Sequence, residues 1–119
     1  MTVPSKADVD DATRDVLAGL CLGDLDVLDD MAELRREEQE RSGLDPRTFS
    51  LVKIAALIAL DAPPASYLWQ VANAMESGAT PEDLVGVLRA VTPHVGGPRA
   101  MAAAPEIMTA LGLELPAGA

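Results

Sequence analysis

Near neutral pH only one side chain type titrates without help from its surroundings, and the chain has a single example of it, His94 in "RAVTPHVGGPRAMAA". Read as chemistry, His94 is a general acid or base facing a pocket lined by Tyr67, Trp69 and Gln70. Lys53 and Arg99 are then the cations available to hold a carboxylate. Read as structure, it is the last polar residue of a helix, favoured there by free carbonyls and the negative end of the helix dipole. The structural reading carries more weight, because one histidine without an identifiable partner is a thin basis for catalysis. The only cysteine, Cys21, has no His or Lys nearby to stabilise its thiolate, so it is expected to pack as a small apolar residue. A single thiol also excludes an intramolecular disulfide. Neither a metal nor a cofactor is expected.

The elements that position these residues are helices. No stretch alternates with period two over a useful length, and about six helical segments follow one another, so an all-α fold is expected. "SKAD" (Ser5 to Asp8) resembles a capping box for a first helix reaching about Ala18, where "GLCLG" is expected to break it. A second helix starts near Asp24 with Leu25, Leu28 and Ala32 in register, then turns wholly polar in "RREEQERSG", so it is expected to leave the core for solvent or for another subunit. Asp45 and Pro46 open a third helix that is apolar almost all round from Leu51 to Leu60, which predicts a central, surrounded element. In the fourth, "PASYLWQVANAMESG", Leu68, Val71, Ala72 and Met75 form the expected core stripe, while Trp69 is displaced toward Asn73 and Glu76. Thr80 and Pro81 open the fifth. A sixth begins near Pro98, with Pro105 expected to kink it, and "ELPAGA" reads as a disordered tail.

At 119 residues the chain has room for one domain, read here as residues 1–43 of acidic helices, a core over 44–112 and a tail over 113–119. With only Phe49, Tyr67 and Trp69 as aromatics, the core must be built from Ala, Leu, Val, Ile and Met. Net charge is −10, and residues 1–45 hold 13 of the 19 acidic side chains. Such a surface repels nucleic acid and anionic membranes, so neither is an expected partner. The longest apolar run, Ile54 to Leu60, is too short to cross a bilayer, and no secretory signal is visible. A cytoplasmic address is therefore expected.

From residue 44 onward the order of parts resembles a known family. "LDPRTFSLVKIAALIAL", "SGATPEDLVGVLRAV" and the small-residue loop "TPHVGGPRAMAA" are similar to segments of the carboxymuconolactone decarboxylase family, which includes the alkyl hydroperoxidase D type proteins. The resemblance covers roughly residues 44–112. It implies a helical fold that assembles as a homo-oligomer, a trimer or a hexamer, and it implies two chemistries. In the peroxidase branch a Cys-x-x-Cys pair is followed by a histidine and preceded by a relay glutamate. Those cysteines fall here at Pro63 and Ser66, or at Ala62 and Ala65, the histidine at Gln70 and the glutamate at Ser50 or Leu51. Without an attacking thiolate and a resolving thiol the peroxide cycle cannot run.

The decarboxylase branch needs a general acid and a group that holds the carboxylate. Gln70 at the histidine position cannot exchange protons, while His94 occupies the loop where the resemblance places a tyrosine or histidine. Two readings follow. An enzyme acting on a small lactone or carboxylate requires His94, Gln70 and a cation to converge on one concave pocket. A catalytically silent oligomeric binding module, using the acidic helix 24–41, requires that no pocket hold more than one ionisable group.

Overall fold

In the computed structural model, which describes residues 7–23 and 26–119, the chain forms six helices: α1 (Asp11–Leu22), α2 (Asp26–Ser42), α3 (Pro46–Leu60), α4 (Pro64–Glu76), α5 (Pro81–Val95) and α6 (Gly97–Ala110). Among the described residues there is no strand, as the all-α expectation required.

Local chemistry explains most of the boundaries. Asp45 accepts a hydrogen bond from the Thr48 amide (2.8 Å) and Pro46 fills the first turn of α3. Thr80 accepts from the Asp83 amide while Asp83 accepts from the Thr80 amide, a reciprocal capping box ahead of Pro81 at the start of α5. Asp83 also accepts two hydrogen bonds from the Arg47 guanidinium, from Nε at 3.1 Å and from Nη2, so one carboxylate ties the first turn of α3 to that of α5.

The first helix departs from expectation. Its N-cap is Asp10, bonded to the Thr13 amide at 2.7 Å, and the proposed capping serine, Ser5, lies outside the described residues. "GLCLG" does not break the helix at Ala18. The helix runs through Gly19 and Cys21 to Leu22 and ends on Gly23 in the left-handed conformation, φ 74°. Asp24 and Leu25, expected to begin the second helix, also lie outside the described residues.

The packed body is α3 to α6. Helix α3 lies against α4, α5 and α6, and α6 closes on α4 and α5. Its interior is Ile54, Ile58, Tyr67, Val71, Leu84, Ala103 and Ile107. Two expectations about faces are corrected. Helix α3 is central but not surrounded: Ile54 and Ile58 are fully buried, whereas Val52, Ala56, Ala59 and Leu60 lie on its exposed side. On α4 the buried stripe is Tyr67, Val71 and Ala74, and Leu68, Ala72 and Met75 are exposed. Beyond Leu111 the chain has no helix.

Candidate functional site

Two clefts are lined jointly by α2, α3 and α4, the second also by the end of α1. The first, of about 370 Å³, is the polar cleft, lined mostly by polar and charged residues. Helix α2 contributes Arg35, Arg36 and Gln39, α3 contributes Phe49, Ser50 and Lys53, and Trp69, Asn73 and Glu76 come from α4. Three of the chain's nine cations thus converge in one cleft of a protein whose net charge is −10. Helical spacing explains the convergence: Phe49 and Lys53 are four residues apart on α3, and Trp69, Asn73 and Glu76 share one face of α4. The Lys53 ammonium sits over the Phe49 ring, 5.2 Å from its centroid. Partial burial, followed by the nearby Arg35 charge, pulls the Lys53 pKa below its ordinary value.

The second cleft, of about 450 Å³, is apolar. Leu20, Cys21 and Gly23 enter it from the end of α1, Met31 from α2 and Leu57 from α3, and Pro63, Ala65, Ser66 and Gln70 line it from the start of α4. Arg35 and Trp69 line both clefts and form the wall between them. The indole is anchored on Gly23, where a Cβ would lie 3.0 Å from Trp69 Cζ2. A glycine is therefore required there by the positive φ and again by the close approach.

The sequence candidates separate into three groups. Lys53 and Trp69 share the polar cleft, and Trp69 and Gln70 share the apolar one. Tyr67, expected beside a pocket, is instead a core residue, 2% exposed. Burial is the main reason that its pKa is raised. His94 and Arg99 are exposed, His94 in the last turn of α5, and neither lines either cleft. The predicted convergence of His94, Gln70 and a cation therefore does not occur. The silent-module condition is not met either, because Arg35, Arg36, Lys53 and Glu76 share one cleft.

The residues overlooked in sequence are those of α2. "RREEQER" mixes charges of both signs as a solvated helix does, yet Arg35, Arg36 and Gln39 face the cleft. Cys21 is not a core packer: it is exposed, within a helix, and lines the apolar cleft. That cleft also holds Pro63 and Ser66, one of the two pairs of positions where the resemblance would place cysteines. Gln70 keeps its Oε1 buried, with no hydrogen-bond partner among the described residues. Among the described residues no three His, Cys, Asp or Glu side chains gather so as to hold a metal ion. No helix among them is long and apolar enough to cross a membrane.

Comparison with known proteins gives one result. The family model described as carboxymuconolactone decarboxylase family matches residues 26–107, which span α2 to most of α6 and include both clefts' α2, α3 and α4 walls. No curated protein and no solved structure matches the chain.

Proposed function

Because the chain belongs to the carboxymuconolactone decarboxylase family, we propose that it binds a small carboxylate or carboxylate-bearing lactone in the polar cleft and acts on it by general acid–base chemistry, without thiol peroxidase activity. The observation that carries this reading is the convergence of Arg35, Arg36 and Lys53 on one cleft that Phe49 and Trp69 also line. Guanidinium groups offer planar, paired donors that fit a carboxylate, and the aromatic rings offer faces for a flat or cyclic body.

Decarboxylation breaks the bond between a carbon and its carboxylate, leaves the electron pair on that carbon and requires a proton to be delivered there. Lys53 is the group suited to deliver it. Its lowered pKa makes the ammonium a better acid than an ordinary lysine, and water restores the proton afterwards. Glu76 faces the same cleft and balances part of the cationic charge. His94 has no part in this reading, since it lies outside the cleft.

Calorimetric titration with succinate and with benzoate tests the binding step. Saturable binding is expected, weakened about ten-fold or more in Lys53→Met and in Arg36→Gln, as for loss of a charge-assisted hydrogen bond. Binding that is indifferent to both changes counts against the polar cleft. A second reading, binding without turnover, is favoured by Gln70 standing where the resemblance places a histidine and by Ser50 or Leu51 standing where it places a relay glutamate. Carboxylate binding with no carbon dioxide release from any lactone acid tested would select it.

A further inference from the structure

The two clefts are not independent, since Arg35 and Trp69 line both. On one side of that shared wall lie Arg36, Lys53 and polar side chains. On the other lie Leu20, Met31, Leu57, Pro63 and Ala65. A ligand that satisfies both sides must be charged at one end and apolar at the other. We propose that the clefts form one bipartite site for an amphipathic monocarboxylate, its carboxylate held by Arg35, Arg36 and Lys53 and its hydrocarbon body laid across Trp69 into the apolar cleft toward Cys21. The proposal rests on the carboxylate reading above and extends it from the head of the ligand to its body.

Three features support this assignment. The cations are confined to the polar cleft and to the shared Arg35, where the three of them outnumber the one carboxylate, Glu76, so the head of the site is net positive and the apolar cleft adds no further charge. Trp69, 43% exposed despite its contact with Gly23, presents an indole surface at the junction where an alkyl chain would cross. The apolar cleft is at least as large as the polar one, more room than a small acid held by its carboxylate would fill.

The site contains its own reporter. Cys21 is the only thiol in the chain, is exposed, and lines the apolar cleft. An occupied apolar cleft shields it, and an occupied polar cleft does not. The experiment titrates the full chain with straight-chain alkanoates from acetate to octanoate, below their micellar concentrations. Affinity is read by calorimetry, and the rate of Cys21 alkylation by N-ethylmaleimide is followed in parallel. Affinity is expected to rise about three- to four-fold per added methylene once the chain passes Trp69. Alkylation should slow several-fold with octanoate and not with acetate. Arg36→Gln should weaken every member of the series by a similar factor and leave its slope unchanged. Should short acids bind with no gain from length and no protection of Cys21, the bipartite site is wrong and the carboxylate reading stands. If no alkanoate and no other carboxylate binds at millimolar concentration, both fall. Protection of Cys21 that grows with length but is indifferent to Arg36→Gln and Lys53→Met assigns an apolar site alone and overturns the head-group assignment.

Discussion

Lys53 illustrates how a single side chain can report the state of a site. Its folded pKa is lowered, so the cleft disfavours the ammonium, and the proton is shed at a lower pH than in an unfolded chain. A bound carboxylate reverses that preference. Carboxylate affinity is therefore expected to be constant at low alkalinity and to fall as pH rises through the free-state pKa of Lys53, with Lys53→Arg removing the fall. Isothermal titration across the alkaline range checks this. Gln70 gives a prediction of opposite character. Its buried Oε1, without a hydrogen-bond partner among the described residues, costs stability, about 1–3 kcal/mol for a group left wholly unsatisfied. Gln70→Met should raise the unfolding free energy by about 1 kcal/mol in urea titration, and a decrease would mean that the amide is satisfied in solution. For Cys21, one thiol cannot both attack a peroxide and resolve the product within its chain. No peroxidase turnover is expected with any dithiol reductant, and turnover that Cys21→Ser abolished would overturn that expectation.

At the scale of elements, the carboxylates at helix starts set the response to acid. Asp10 and Asp45 accept amide hydrogen bonds as N-caps, and Asp83 accepts from the Thr80 amide and then from Arg47; in all three these bonds hold the pKa below the ordinary value. The stability they contribute is fully present above the unfolded carboxylate pKa, about 3.9, and is lost as pH falls through the lower folded values. Thermal unfolding should therefore turn down below about pH 4, and less steeply in Asp45→Asn and Asp83→Asn. The same caps made α3 and α5 readable from sequence, because a cap and a first-turn proline act within four residues. The buried face of α4 was not readable in that way. Leu68, Ala72 and Met75 form as regular a stripe as Tyr67, Val71 and Ala74, and only the placement of α3 and α6 decides which turns inward. The cation cluster was hidden for a related reason, since Arg35 and Arg36 lie on a different helix from Lys53 and share a cleft with it only in the folded chain. Gly23 shows a local signal with a distant use. Gly23→Ala should cost about 1–2 kcal/mol for the left-handed backbone, and the added methyl should displace Trp69 and shift its emission.

For the whole molecule, the conspicuous fact is how much apolar surface one chain leaves bare. Val52 (54% exposed) and Leu60 (75%) lie on α3, Leu68 and Met75 on α4, and Met101 (76%) on α6. Burying such side chains is worth roughly 1.5–3 kcal/mol each. Assembly into a trimer or a multiple of it is the expected outcome, with a sedimentation mass in steps of three 12.4 kDa chains. Leu60→Lys should shift the mass toward the single chain, and a wild-type monomer at micromolar concentration would contradict the expectation. The order in which the core is completed has a consequence of another kind. The buried cluster that holds Ile58 is incomplete until its α6 members, Ala103 and Ile107, are made, the latter 49 residues after Ile58. During synthesis at about 5–20 residues per second, that interval lasts roughly 2–10 s. For that time the nascent chain presents the seam that α6 will close, so a pause or truncation before residue 103 would yield a species prone to aggregate.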